Sequence, residues 1–355
     1  MEHLRVLQAM AGAEHGGAEL FFERLVVALH RAGIQQHVLL RQNAERGRKL
    51  REAGLNPVEL PFGGRFDFRT KPAFKREIER FQPHVVLTWM NRATSFCPKA
   101  EGFVHVARLG GYYDLKYYRG CDHLVGNTHD IVDYLVKNGW PAERAHYLPN
   151  FVNAEQAPPA PRKPNYTPDT VPLIFALGRL HENKGFDVLL KAVARLSDCY
   201  LWIAGDGPLR QQLEDQAQAL GIKPRVRFLG WREDVAALYA AADLFVCPSR
   251  HEPLGNVVIE AWAHDRPVIA TASQGPAKLI RDGDNGLLTP VDDVIALADA
   301  IKRALRDKDL RGRLAAAGRA AYEAEFTEAQ VVAQYRDFFR QVIADKAVAA
   351  AVPVE

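Results

Sequence analysis

The sequence predicts an α/β protein built from two doubly wound, parallel-sheet domains. Three observations carry this expectation. First, 355 residues exceed what a single hydrophobic core usually serves. Second, short apolar runs alternate with amphipathic segments in both halves, the pattern of parallel strands covered by helices on both faces. Third, the alternation is interrupted once, by APPAPRKPNYTPDTVP, which holds six prolines between Pro158 and Pro172. Such a stretch reads as a stiff, extended connector rather than a packed element. The expected layout is a first domain over residues 1–155, a linker over 156–170, a second domain over 171–330, and a closing helix and tail over 331–355.

In the first half, residues 4–9 are a strand, followed by the turn-rich AGAEHGGAE and the amphipathic segment LFFERLVVALHRAG. Phe21, Leu25, Ala28 and Leu29 share one helical face, and Gly33 closes the helix. The paired Gly16 and Gly17 would let backbone approach a phosphate or a sugar, or simply form a plain βα turn. Further strands are expected at 35–40, 57–60, 84–88, 103–107, 123–126 and 146–148, with helices near 48–53 and 73–81. Two stretches read as neither strand nor regular helix. RFDFRTKPAFKR, from Arg65 to Arg76, interleaves Phe66, Phe68 and Phe74 with Arg69, Lys71 and Lys75. RLGGYYDLKYYR, from Arg108 through Asp114 to Arg119, sets cations around four tyrosines. Both fit snorkelling side chains over a core edge, and both fit contact with an acceptor or an anionic membrane surface.

In the second half, strands are expected at 173–177, 200–204, 226–229, 244–247 and 267–270, with helices at 186–196, 209–220, 234–241, 294–305 and 328–342. The closing AVAAAVPVE reads as a frayed tail. The most informative stretch is PSRHEPLGNVVIEAWA, Pro248 to Ala263. It is a strand end, a tight loop and a helix starting near Gly255, bracketed by Glu252 and Glu260. Backbone N–H groups at such a helix start attract anions. Carboxylates beside them suit a polyhydroxylated ligand carrying phosphates, although two acids alone also fit a capped helix with solvated side chains. After the strand at 173–177 comes GRLHENKG, Gly178 to Gly185. Arg179 and Lys184 on this one loop can clamp a diphosphate, the guanidinium bidentately. They could also be two exposed charges.

Composition excludes several classes. Hydrophobic content of 48% and charged content of 25% are those of an ordinary globular chain, and a net charge of +3 argues against a nucleic-acid partner. Cys97, Cys121, Cys199 and Cys247 form no CxxC, which points to a reducing compartment without disulfides or zinc. There is no charged leader and no apolar run long enough to span a bilayer, so a cytoplasmic location is expected, with peripheral contact at the inner membrane face. Asp282 and Asp284 spell DxD, but their setting, RDGDNGLL, is turn chemistry, and no metal is expected. Neither half carries GxGxxG, a P-loop or GxSxG.

The second half resembles the donor domain of retaining family 4 glycosyltransferases of the GT-B class, two Rossmann-like domains facing across a cleft. The matching pieces are GRLHENKGFDVLL, AGDGPL, VRFLGW, DLFVCPSRHEPLGNVVIEAWA, RPVIATASQGP and DGDNGLLTPVDD. Glu252 to Glu260 corresponds to that family's EX7E element. The first half matches more loosely, through Gly16-Gly17-Ala18-Glu19 and Leu148-Pro149-Asn150-Phe151-Val152. The resemblance implies a nucleotide-sugar donor and a glycan or glycolipid acceptor, most simply in lipopolysaccharide core or other envelope glycans. It implies that Arg179 and Lys184 bind the diphosphate beside Gly178, that Glu260 accepts from ribose hydroxyls, and that Glu252 contacts the transferred sugar. Leu254, Gly255 and Asn256 would line that sugar or phosphate, and Gly17 would approach the phosphate from the first domain. Many members carry a histidine after the strand that ends here near Ala107. This chain has Arg108 there instead, with Asp114 nearby, and either of these, or backbone alone, could take that part. Competing readings are a nucleotide-sugar epimerase, which would need further acid/base groups, and a non-catalytic sugar-nucleotide-binding module.

Overall fold

The computed structural model describes residues 4–14, 16–64, 66–99, 102–152 and 154–351, with side chains described through residue 348. The chain forms two compact units, Met1–Phe151 with Glu328–Glu355, and Val152–Thr327.

The first unit runs β1 (Arg5–Met10), α1 (Gly17–Arg31), β2 (Gln35–Arg41), α2 (Ala44–Glu52), β3 (Val58–Leu60), α3 (Thr70–Phe81), β4 (Val85–Trp89), α4 (Met90–Phe96), β5 (Val104–Leu109), β6 (His123–Gly126), α5 (His129–Lys137) and β7 (Ala145–Tyr147). All its strand pairs are parallel, in the order β3-β2-β1-β4-β5-β6-β7. Alternate residues of β1 serve opposite faces, as the strand period requires. Val6 and Met10 pack with Phe22 and Leu25 of α1, while Leu7 and Ala9 pack with Phe74 of α3 and Ala93 of α4. β4 and β5 are buried at every residue, which suits their largely apolar text, and Thr88, His105 and Arg108 are the polar side chains they take into the core.

The second unit runs β8 (Leu173–Leu177), α6 (Phe186–Ala194), β9 (Tyr200–Ala204), α7 (Arg210–Ala219), β10 (Val226–Gly230), α8 (Val235–Ala241), β11 (Leu244–Cys247), α9 (Asn256–Ala263), β12 (Val268–Thr271), α10 (Gln274–Leu279), β13 (Leu287–Thr289), α11 (Val294–Arg306) and α12 (Lys308–Glu325). Its parallel order is β10-β9-β8-β11-β12-β13. In both sheets the strand order reverses once, between β1 and β4 and between β8 and β11. These switch points open a crevice at the carboxyl ends of the strands, where doubly wound sheets bind ligands.

Three expectations about organisation are corrected. The closing helix α13 (Glu328–Ala351) is not a separate element but part of the first unit. Val331, Tyr335, Phe338, Phe339 and Val342 form one buried stripe that joins the core of α1 and β5. The helix also runs well past the expected end at residue 342, into the predicted tail. Next, the proline-rich stretch packs on the second unit rather than bridging as a free connector. Its prolines lack donors, so Ala160, Arg162 and Thr167 make the contacts. Ala160 N donates to Ala237 O (2.9 Å), Arg162 pairs with Asp243 (3.0 Å), and Thr167 Oγ1 accepts from Trp202 Nε1 (2.9 Å). Third, Thr70 to Arg76 is helical, the first turns of α3, with Phe74 fully buried.

Candidate active site

The sequence-predicted donor residues gather at the β8/β11 switch point of the second unit. After β8, Gly178 N bonds Ala204 O (3.0 Å) and Leu180 is buried, its N–H on Asp206 O (2.9 Å). These anchors leave Arg179 exposed, with no hydrogen bond or ion pair among the described residues. A single turn over Glu182–Lys184 then delivers Lys184 to Gly185, which caps α6. Gly185 has φ of +64°, and a Cβ there would lie 2.0 Å from Pro248 O. Only glycine lets the β8 and β11 loops touch at this point. His251 N donates to Asn183 O (3.1 Å) just beside it.

After β11, the loop turns Glu252 inward. The residue is 7% exposed, and its carboxylate pairs with the Lys184 ammonium. Ser249 Oγ, itself buried, donates to the same oxygen (3.4 Å). The Glu252 backbone is held at both ends: its N–H donates to Gln274 Oε1 (3.3 Å), and its carbonyl accepts from Gly275 N (2.8 Å). Gly255, at φ of +70°, caps α9 without a side-chain bond, so the helix begins where the sequence places it. Along α9, Asn256, Val257 and Glu260 are half-buried, while Val258, Ile259 and Ala261 to Ala263 are in the core. Glu260 therefore lies one turn beyond Asn256 on the same stripe. Burial, with the Glu260 charge nearby, raises the phenol of Tyr239, which donates to Val257 O (3.3 Å) and underlies this stripe.

Cys247 closes β11 beneath the loop. Burial and the charge of Glu252 push its thiol up to about 11, so it offers no thiolate near neutral pH. Asp282 Oδ1 accepts from Leu288 N (2.9 Å) and Asp284 pairs with Arg281 (2.7 Å), each a turn contact. Among the described residues no group of three or more His, Cys, Asp or Glu is arranged to hold a metal ion.

In the first unit the predicted residues do not form one cluster. Gly17 opens α1 and is exposed, with open space where a Cβ would point. Gly16 has another use: a Cβ there would meet the Glu19 carboxylate at 2.2 Å. That carboxylate is buried and accepts from Ala13 N (2.8 Å), pinning the β1–α1 loop. Arg108 was expected at an acceptor or membrane contact, and the structure corrects this. It is 1% exposed, lies between the rings of Phe21 and Trp89 (4.7 and 4.6 Å to the centroids), and donates to Tyr335 Oη (2.8 Å) and Asn150 Oδ1 (2.5 Å). It is a core residue that fastens α13, because the aromatic walls and two oxygens can take a guanidinium out of water. Asp114 is exposed and paired with Lys116 (2.7 Å). Phe66 and Phe68 are 83% and 78% exposed; Arg69, Lys71, Lys75 and Arg76 are exposed too, with Lys75 3.8 Å from Glu79 and Arg76 3.8 Å from Glu77. Phe74 leaves this group for the core, and Arg65 lies outside the described residues. Sequence reasoning missed Ser249 and Gln274 as partners of Glu252. Ser249 had only its place in the loop to mark it, and Gln274 lies 22 residues away with no spacing rule to connect them.

At the β8/β11 switch point Lys184 of one loop meets Glu252 of the other, at the carboxyl ends of a doubly wound sheet, where such folds bind ligands. The chain belongs to the group 1/family 4 glycosyltransferases of the GT-B fold. Residues 171–307 match the family described as glycosyl transferases group 1, and residues 15–156 match glycosyltransferase family 4. The lipopolysaccharide core biosynthesis glycosyltransferase LpsE of Rhizobium meliloti is 36% identical over 343 residues, spanning 93% of this chain and 96% of that one. Among solved structures, a glycosyltransferase from Rickettsia africae aligns with a TM-score of 0.86 at 18% identity, covering 97% of this chain and 99% of its own. Anabaena HepE in complex with UDP aligns with a TM-score of 0.81 at 20% identity, covering 95% and 100%.

Proposed function

We propose that this enzyme moves a hexose-type sugar from a nucleotide-diphosphate sugar to a glycan or glycolipid acceptor in lipopolysaccharide core assembly, with retention at the anomeric carbon. The observation that carries the reading is the meeting of Lys184 and Glu252 at the β8/β11 switch point. Arg179 and Lys184 take the diphosphate, Glu260 the ribose hydroxyls, and Glu252 the hydroxyls of the sugar. Leu254 and the backbone of Gly178, Gly255 and Asn256 line the sugar and phosphate. The bond from C1 to the diphosphate oxygen breaks as the acceptor oxygen attacks the same face. The leaving phosphate oxygen takes the acceptor proton, which requires no enzyme nucleophile. Fixed cations neutralise the departing diphosphate in place of a metal ion.

LpsE is, by its name, a glycosyltransferase of lipopolysaccharide core biosynthesis, which supports that acceptor class, and the HepE complex supports trying uridine nucleotides first. We further propose peripheral membrane contact through Phe66, Phe68, Arg69, Lys71, Lys75 and Arg76, where exposed rings and exposed cations share one stretch of chain. The test is incubation with a panel of UDP-, GDP-, ADP- and dTDP-sugars, a lipopolysaccharide-core acceptor and EDTA, with the new linkage read by NMR. Transfer with an unchanged anomeric configuration is expected. Epimerised donor, or binding without turnover, would overturn the reading.

A further inference from the structure

Arg250 stands between Ser249 and Glu252 in the β11 loop, yet none of its contacts is local. Its guanidinium forks onto Asp187 in the first turn of α6 (NH1 to Oδ1 and NH2 to Oδ2, both 2.7 Å). Its Nε reaches Asp292, after β13 (2.6 Å), and NH1 also donates to the carbonyl of Glu182 (2.9 Å). A guanidinium has five N–H groups, and these bonds use one on Nε, two on NH1 and one on NH2. Little of the fork is left for a substrate.

We infer that Arg250 is a positioning residue that buckles the Lys184-bearing loop to the Glu252-bearing loop and so sets the geometry of the donor site. The three βα loops it joins follow β8, β11 and β13, and no strand of the sheet pairs β13 with β8 or β11. The backbone contact of His251 with Asn183 and the close approach of Gly185 to Pro248 bring the β8 and β11 loops together at their bases. Arg250 adds side-chain ties to these backbone contacts, on the carbonyl of Glu182 and on Asp187 of the helix that Lys184 leads into. An exposed ion pair usually contributes little, because two flexible chains must be ordered for one contact. Here the pair is bidentate, shared with a second carboxylate and a carbonyl, and the Arg250 and Asp187 side chains are 30% and 27% exposed. Displacing reacting groups by about 1 Å costs on the order of a hundredfold in rate, so a buckle between these loops bears on the chemistry without touching it.

The inference rests on the proposed diphosphate role of Lys184, and the test separates the two. Amide hydrogen exchange on the ligand-free protein reads the buckle alone. Arg250→Gln and Asp187→Asn should each speed exchange over residues 179–185 and 249–254 by more than over β8 and β11, and add nothing to one another when combined. Arg250→Lys, with charge but no fork, should fall between Arg250→Gln and wild type. Inorganic pyrophosphate, titrated by calorimetry, reads the consequence: its affinity should fall roughly tenfold in Arg250→Gln, the scale of coupling within one hydrogen-bonded network. Unchanged exchange over 179–185 in Arg250→Gln overturns the inference, as does unchanged pyrophosphate affinity when Lys184→Met weakens it. If wild type and Lys184→Met treat pyrophosphate alike, the diphosphate reading fails instead, and the exchange result alone decides the part played by Arg250.

Discussion

Lys184→Met isolates the contact at the centre of the site. It keeps an unbranched apolar stem and removes the ammonium that pairs with Glu252. The carboxylate is then left with the Ser249 hydroxyl at 3.4 Å as its side-chain donor, at a position 7% exposed. Breaking a fully buried pair by removing one partner costs about 3–5 kcal/mol. The Lys184 side chain is 23% exposed and that of Glu252 10%, so water screens part of this. The expected loss is about 1–3 kcal/mol. Glu252→Gln removes the charge but keeps an acceptor for the ammonium, so it should cost less, about 1 kcal/mol. The double variant should therefore be milder than the sum of the two, with a coupling of about 1–2 kcal/mol. Native-state hydrogen exchange of the β8 and β11 amides measures the second unit's own stability, independent of the first. Additive losses, or no loss in Lys184→Met, would refute a carboxylate that depends on Lys184 in the ligand-free protein.

Glu260→Gln should weaken nucleotide-sugar binding by about 1.5–3 kcal/mol, the range for a hydrogen bond to a charged group, and an unchanged calorimetric affinity would remove Glu260 from the ribose. Phe66→Ser/Phe68→Ser and Arg69→Glu/Lys75→Glu should each reduce sedimentation with anionic liposomes, the second pair more at low salt than at high. Equal partitioning of both variants with wild type would make this surface ordinary solvated polypeptide. Burial holds His105 down at about 4, and burial with the neighbouring charge of His123 holds His146 at about 4 as well, so both are neutral in the fold near neutral pH. The unfolded chain takes up these protons near pH 6.5, so stability should fall between about 6.5 and 4, by up to about 1.4 kcal/mol per pH unit for each group. Denaturation at pH 7 and pH 5 checks this: His105→Gln should show a shallower loss than wild type, and equal losses would contradict it.

The fold was legible because central parallel strands such as β8, β9 and β11 are short apolar runs, and because each is followed by loop residues before the next helix. The grouping of Arg179, Lys184, Glu252 and Glu260 was legible for a related reason: they lie on two contiguous segments that fold locally onto one switch point. What the text did not show depends on long-range partners. Arg108 looks like one more cation among tyrosines, and partners remote in sequence, Phe21, Asn150 and Tyr335, the last 227 residues on, make it a core residue. The same helix α13 closes the first unit from the far end of the chain, which no local pattern announces. The proline-rich stretch misled because proline density signals extended backbone, not whether the residues between the prolines find partners. Short elements such as α4, α10 and β13, and the long α12 with its mixed face, carried too weak a period to be placed, whereas α5, with Ile131 and Leu135 on one face and Thr128 as its cap, is periodic and sequence reasoning missed it.

The central claim is that the β8/β11 switch point binds a nucleoside diphosphate through Lys184 and Arg179 without a metal ion. The most direct measurement is calorimetric titration of UDP, GDP, ADP and dTDP, in EDTA, into wild type, Arg179→Met and Lys184→Met. One nucleotide should bind wild type at least roughly tenfold more tightly than either variant, as loss of a charge-assisted hydrogen bond requires. Binding that demands a divalent ion, or that is equal in all three proteins, would contradict the account.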